Sequence, residues 1–510
     1  MLDFASVRYI LPKNPEIHLP EVFLSGTQDK SLGARGARAG KLRALRRGLY
    51  TTNMVDAPEL IVKKNLWQIV SMLCPGGVVS HRTALEATPS SNGQIFVTTT
   101  SDHTIALPGY QIRQINGHGP LDTDRPFLAG LRISSQPRFL LECLSGNAYA
   151  NKSPYLTQDA IEKYLDNQLS QGEDAVNRIR DLARQISQEL GLEKAYHRLD
   201  SIIGGLMGTR KTSLYSKIGQ ARSKGHPFDS NRMDQFQILF QSLNEWPVTP
   251  RPDAQMSGIP FQNIAFFDAY FSNYIEGTEF EVDEAKEIAL EGKIPAKRAA
   301  DGHDILGTFQ LASDIARMSS KISKLSTDAF IDVLKNWHAV IMQGRPEKKP
   351  GQFKLESNRA GLTVFVLPER VVGTLRQGFE IGRAIVSPFG RAAFLMYLLS
   401  EVHPFDDGNG RITRAVVNAE LISHGERRII IPTAYRTEYI DALKKMSQEN
   451  DPKLIPRMLA IAQDFVDAID FTDILEAENE LRAWHAFDEG ARAFLCKPVT
   501  ALRVDYRQSQ

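Results

Sequence analysis

The stretch HPFDDGNGRITR, His403 to Arg414, places a histidine, two aspartates, two glycines, an asparagine and two arginines within twelve residues. The preceding RAAFLMYLLSEV, residues 391–402, is apolar enough to be a buried helix, and Pro404 forbids its continuation past His403. DDGNG then reads as a loop whose glycines let the backbone approach a ligand. RITRAVVNAELISHG starts a second helix. Backbone N–H groups at such a helix start carry partial positive charge and form an anion site.

Arg411 and Arg414 are three residues apart, so on a helix they share a face and reach one anion. Asp407 offers a hard oxygen ligand suited to Mg²⁺, with phosphate oxygens completing the shell. His403, with an ordinary pKa of ~6.5, can take a proton from a hydroxyl near neutral pH. Each residue alone also has a structural reading, with both arginines paired to Asp406 and Asp407. The ordered set favours transfer of a phosphorus-centred group from a nucleotide to a hydroxyl.

The stretch resembles the Fic-domain motif, which His403, Phe405, Asp407, Gly408, Asn409, Gly410, Arg411 and Arg414 all match; the likeness extends over about residues 261–465. The resemblance implies a compact helical bundle that transfers AMP from ATP, with Mg²⁺, to a Ser, Thr or Tyr hydroxyl of a target protein or of itself. It implies His403 as general base, Phe405 as a packing residue and Asp407 as the Mg²⁺ ligand. Asn409 with the amides of Gly408 and Gly410 would hold the α-phosphate, Arg411 the outer phosphates, and Arg414 the γ-phosphate or an inhibitory glutamate. GQFKLESNRAGLTVFVLP, Gly351 to Pro368, alternates like a hairpin and resembles the Fic flap, which docks a target by strand addition. Tyr439, and more weakly Ser447, fall where the family contacts adenine. Upstream, SNYIEG carries Ser272, Glu276 and Gly277 at the spacing of the family's inhibitory motif. Glu276 would then pair with Arg414 and exclude the γ-phosphate. Two alternatives stand beside autoinhibited transfer: removal of AMP with Glu276 activating water, and a DNA-binding regulator whose Fic unit senses nucleotide.

The remaining chain sets the context. Its 510 residues suggest roughly three or four folding units. A 42% hydrophobic, 24% charged composition with net charge +1 describes a globular protein and names no partner. The first 24 residues lack a signal peptide's basic start and apolar run, and no stretch approaches the ~20 apolar residues of a membrane helix. A cytoplasmic protein without membrane contact is expected. Cys74, Cys143 and Cys496 are too few and too far apart for a disulfide framework or zinc site, and read as small buried hydrophobes.

Between Lys30 and Met54 lie seven basic residues and no acidic one. PELIVKKNLWQIVSMLC reads as a helix with Leu60 on its apolar stripe, and HRTALEA as another with Ser80 as N-cap. SNGQIFVTTT and TIALPGYQIRQI read as strands. Through KLRALRRGLY and CPGGVVSHRTALEA, residues 30–145 resemble the amino-terminal winged-helix domain of AbiEi-type antitoxins, which implies double-stranded DNA as a partner. Two helices are expected between Thr157 and Leu190, with Leu182 on the second packing stripe and Gly191 as the stop. GGLMGTRKTS superficially resembles a P-loop, but Arg210 stands where its glycine is needed. Proline-rich WPVTPRPDAQMSGIP, Trp246 to Pro260, reads as the main boundary.

The expected architecture is mainly α: a winged-helix-like α/β domain at 1–145, a helical connector at 150–245, a Fic bundle with its flap at 260–470, and a helical extension at 471–510. A homodimer is compatible with this arrangement.

Overall fold

The computed structural model describes residues 19–25, 30–147, 153–247, 249–253, 257–361, 363–490 and 495; Cys496 and the end of the expected extension lie outside the described residues. The chain is mainly helical and divides into two compact units, residues 1–224 and 225–510.

In the first unit, β1 (Val22–Leu24), α1 (Lys30–Arg38), β2 (Arg43–Arg46) and β3 (Leu49–Thr51) come first. The strands form a sheet in the order β1-β3-β2, so the basic stretch lies on α1 and the β2–β3 hairpin. Next come α2 (Pro58–Lys64), α3 (Leu66–Leu73), β4 (Val78–Val79), α4 (His81–Glu86), β5 (Gln94–Thr99), β6 (His103–Leu107), β7 (Tyr110–Asn116), β8 (Arg125–Pro126), β9 (Arg132–Ile133) and α5 (Gln136–Leu144). The Pro108-Gly109 turn joins β6 and β7 as a hairpin within a six-stranded sheet, order β6-β7-β5-β4-β9-β8. Asn65 divides the helix expected over residues 58–74 into α2 and α3. Ser80 precedes α4 without capping it, because its hydroxyl meets His81 Nδ1 and accepts from Thr98 Oγ1.

Four helices follow: α6 (Gln158–Leu169), α7 (Glu173–Leu190), α8 (Glu193–Leu206) and α9 (Lys217–Ser223). Gly191 ends α7 in the left-handed region, as expected. Leu60 and Leu182 face solvent, 43% and 39% exposed, which narrows both apolar stripes. The connector is not a separate body: Ile161, Leu165, Val176, Ile179, Leu199 and Ile203 share one hydrophobic core with Ile69, Ile95, Ile112 and Leu140. Cys74 and Cys143 are buried thiols, both pushed up in pKa chiefly by burial.

The second unit begins with α10 (Ser230–Glu245), whose Phe236, Leu239 and Leu243 enter its core. The division therefore falls before α10 and not at the proline-rich segment. That segment is bound to the unit it was expected to precede: Arg251 pairs with Asp464 at 2.6 Å, and its N–H donates to Glu426. Next are α11 (Gly258–Ile275), α12 (Val282–Glu291), α13 (Ala299–Ala312), α14 (Ile315–Met318), α15 (Thr327–Ile341), strands β10 (Arg359–Ala360) and β11 (Thr363–Val364), and α16 (Val371–Gly382). The chain continues through α17 (Pro388–Val402), α18 (Asn409–Ile422), α19 (Arg436–Glu449), α20 (Leu454–Asp467) and α21 (Ile474–Ala483). Ser387 caps α17 by accepting from Gly390 N, and Pro388 suits its first turn. Phe394, Met396, Tyr397, Leu398 and Leu399 are fully buried, so α17 is the central helix, with α18 packed along it. A second core joins α11, α12 and α13 to α21. No helix among the described residues is long and apolar enough to cross a membrane.

Candidate active site

His403 closes α17 in the left-handed region, φ 49°, ψ 61°, and its N–H donates to Leu399 O. A non-glycine residue is uncommon in that conformation, and Pro404 behind it excludes the helical alternative. The turn carries the imidazole off the helix axis onto Phe365, where the rings stack with centroids 3.9 Å apart and planes 4° apart. Nδ1 lies 3.3 Å from Ser400 O. A carbonyl only accepts, so the proton belongs on Nδ1 and Nε2 keeps its lone pair. Burial, reinforced by the Lys354 ammonium, pushes the His403 pKa down to about 4, so the ring is neutral at physiological pH.

The loop behind His403 is fixed by Asn409 and Phe405 together with His338, Lys354 and Asn358, which the sequence did not reveal. Asn409 Oδ1 accepts from Phe405 N and its Nδ2 donates to Phe405 O, both at 2.9 Å. Its amide therefore closes the loop onto Phe405. Phe405 is fully buried, as expected of a packing residue, and stacks on His338 with centroids 3.7 Å apart. His338 accepts from Gly351 N at Nδ1, 2.9 Å, and so carries its proton on Nε2, which lies 3.0 Å from Asp407 O. Burial pushes its pKa down to about 4 as well. Lys354 is nearly inaccessible; its N–H donates to Pro404 O, and Nζ donates to Asn358 Oδ1 and Val402 O. Asn358 in turn donates to Phe405 O. The base of the expected flap is thus bound to the loop that follows His403, and β10 pairs antiparallel with β11 beyond it.

Gly408 adopts φ +73°, and a Cβ there would stand 2.7 Å from Met342 Sδ, so any side chain would be strained and would have to displace Met342. At Gly410 a Cβ would stand 2.0 Å from Glu276 Oε1. The carboxylate of Glu276 therefore lies against the first turn of α18, where the sequence places an anion. Glu276 ends α11, and Gly277 leaves the helix at φ +88°. Arg414 is held from three sides: Nε donates to Ser272 Oγ at 2.8 Å, and Nη2 donates to Ser272 O and to Glu276 Oε1 at 2.9 and 2.8 Å. Arg411, also almost wholly buried, pairs with Asp304 at 2.9 Å, and its Nε has no acceptor among the described residues. Asp304 is an unforeseen partner, fully buried and shared with Arg345.

His403, Glu276, Gly410, Phe365, Tyr439 and Ser447 line one cavity of about 260 Å³, with Glu401 beside them. Tyr439 lies under Arg414, its ring centroid 5.9 Å from the guanidinium carbon, and Ser447 donates to Glu401 at 3.1 Å. Asp407 is partly exposed; its Oδ1 accepts from Gly408 N and lies 3.5 Å from Arg411. No cluster of three or more metal-ligating side chains exists among the described residues. A cation held by one carboxylate with the rest of its shell from phosphate and water matches how Mg²⁺ accompanies nucleotides. The glycine-lined helix start and the unpaired Arg411 Nε fit a polyphosphate.

The helical bundle thus sets a neutral histidine beside a helix-start anion site. The Fic/DOC family pattern matches residues 328–421. A Fido domain-containing protein of Dictyostelium discoideum is 34% identical over 99 residues, 18% of this chain and 69% of its own length. The chain belongs to the Fic/DOC family. Protein adenylyltransferase fic-1 of Caenorhabditis elegans is 26% identical over 183 residues, 35% of this chain and 36% of the relative. The chain thus spans about a third of the length of that adenylyltransferase. Among solved structures, a fragment of Fic-1 from C. elegans aligns with TM-score 0.34 and 17% identity, covering 64% of this chain and 97% of that one.

Proposed function

We propose that this protein is a protein adenylyltransferase restrained by its own glutamate. The observation that carries the reading is the shared cavity in which neutral His403 faces the start of α18 while Glu276 occupies the anion position. In the reaction, His403 Nε2 takes the proton of a Ser, Thr or Tyr hydroxyl as that oxygen bonds to the α-phosphorus of ATP. The bond from that phosphorus to the bridging oxygen breaks, and pyrophosphate leaves. Asp407 would hold the Mg²⁺, which neutralises charge on the phosphates when bound. The amides at Gly408 and Gly410 orient the α-phosphate, while Arg411 and a freed Arg414 orient the outer phosphates. Tyr439 and Ser447 line the remaining cavity, which the base would fill.

With Glu276 in place, Arg414 Nε and Nη2 are taken by Ser272 and Glu276, and the Glu276 carboxylate stands where the γ-phosphate would be held. Incubation with α-labelled ATP and Mg²⁺ tests the reading: the wild type labels itself weakly, Glu276→Gly strongly and His403→Ala not at all. Label that persists in His403→Ala removes the mechanism. AMP release from a pre-modified protein, lost in Glu276→Gly, would instead favour hydrolysis with Glu276 directing water.

For the first unit we infer contact with duplex DNA, supported by Arg38, Lys41 and Arg47, exposed on and beside α1 and the β2–β3 hairpin. Gel-shift affinity falling steeply with salt is the expected result, and no shift on duplex at low salt overturns it.

A further inference from the structure

The flap poses a physical problem. β10 and β11 pair at only two positions, Arg359 with Val364 and Ala360 with Thr363, and most of their side chains face solvent. A hairpin of two-residue strands does not hold itself in water. Its base is bound through Lys354 and Asn358, but these contacts lie before β10. Beyond β11, Phe365 rests on His403.

Two side chains from neighbouring helices reach β11: Gln448 Nε2 lies a long 3.5 Å from Thr363 Oγ1, and Arg232 makes the closer contact. Arg232, on the first turns of α10, donates from Nη2 to Val364 O at 2.7 Å. Its Nε lies 2.7 Å from Glu401 Oε1, a carboxylate only 5% exposed on α17, two residues before His403. Burial raises the Glu401 pKa, and a buried carboxylate needs a cation; Arg232 supplies it, while Ser447 donates to the same oxygen. The helix beneath is rigid: Gln235 accepts from Tyr397 OH and donates to Ser447 O, both at 2.8 Å, and Phe236 is fully buried against Phe394 and Tyr397. Arg232 thus spans from the wall of the nucleotide cavity to the strand that roofs it, and it lies outside residues 328–421, which carry the family match.

We propose that Arg232 is a positioning residue that fixes the β10–β11 hairpin over the His403 cavity, so that a target's extended backbone meets the hairpin at the height from which its hydroxyl reaches Nε2. The catalytic part rests on the adenylyl-transfer reading; the positioning part does not. Glu401 gives the guanidinium its place as an ion pair, while Nη2 of the same planar group donates to Val364 O. A lysine ammonium could satisfy Glu401 but not both.

Hydrogen–deuterium exchange on the full-length protein tests the positioning directly. In Arg232→Met, amides of the hairpin should exchange at least about tenfold faster, the scale of one lost charged hydrogen bond, while those of α18 stay unchanged and those of α17 rise less, only near Glu401 where the cation is lost. Arg232→Lys should fall between. Unchanged hairpin exchange overturns the proposal, and so does an equal rise in α17 and α18, which would make Arg232 a general stabiliser. In the Glu276→Gly background, Arg232→Met should lower the self-labelling rate at saturating ATP about tenfold while the KM for ATP moves less than about threefold. If Glu276→Gly carries no label yet the hairpin loosens selectively in Arg232→Met, the transfer reading fails and the positioning role stands.

Discussion

Glu276 Oε1 accepts a 2.8 Å hydrogen bond from Arg414 Nη2, joining the end of α11 to the first turns of α18 across 138 positions of sequence. Because Arg414 is almost wholly buried and Glu276 only partly exposed, the pair is a charge-assisted contact of about 1.5–3 kcal/mol. Glu276→Gly should therefore bind ATP roughly tenfold to a hundredfold more tightly by calorimetry. Glu276→Gln, which keeps the shape and loses the charge, should fall between. Equal affinity in all three proteins would show that the contact does not oppose nucleotide.

Gly410→Ala should give a folded protein, since alanine suits a helix better than glycine. The added methyl would occupy the space now filled by Glu276 Oε1. It should both weaken the Glu276 contact and block an incoming phosphate, so ATP binding should be lost. Adding Glu276→Gly should not restore it. Recovery in the double variant would mean that the phosphate approaches from elsewhere.

His403 and His338 set the response to acid. In the unfolded chain both imidazoles take up protons near pH ~6.5, whereas in the folded unit both resist until about 4. Between those values the unfolded state binds more protons, so stability rises with pH and is fully present above 6.5. Thermal melting from pH 7 down to 4 should register the histidines as a loss on the order of ~1–3 kcal/mol each, partly offset by Asp268, whose carboxyl is pushed up to about 6 by burial and which therefore favours the folded state in acid. Activity of Glu276→Gly should likewise hold well below pH 6.5. Lys354→Met, which removes the cation beside His403, should move the acid limb upward. A limb at 6.5 in both proteins would contradict the buried, cation-flanked ring.

His338→Ala should remove the support of Asp407 O, the contact from Gly351 N and the ring under Phe405 together. A loss of roughly 2–4 kcal/mol and a melting temperature lowered by about 5 °C or more is expected. His338→Phe keeps only the stack and should recover part of that stability without recovering turnover. If His338→Phe is as active as the wild type, the two backbone contacts do not position the loop.

The loop between α17 and α18 was legible because proline, glycine and charge each mark local backbone demands, and those demands are met within a few residues. His403 ends its helix and Gly408 takes positive φ for such local reasons. What stayed hidden depends on distance along the chain. His338 reads as an ordinary helical histidine, Asp304 as one acid among many, and Arg232 as one of many basic residues. Their roles arise only when α10, α13 and α15 are packed beside α17 and α18. The structural contacts of Asn409 stayed hidden for a related reason. Its residue type suits a phosphate contact, but Phe405, four residues earlier, offers both a donor and an acceptor. The connector was expected to stand alone because its periodic stripes look self-sufficient; those stripes in fact cover a sheet built earlier in the chain.

The glutamate at Gly410 has a consequence for how the protein rests. Tethered on the same chain, Glu276 meets Arg414 at an effective concentration set by the fold, so restraint should be independent of dilution and of partner abundance. More ATP would erode it only gradually: a contact closed ~99% of the time lowers apparent nucleotide affinity ~100-fold but leaves maximal turnover reachable. An activator therefore need not touch the nucleotide. A small displacement of the last turn of α11 would suffice.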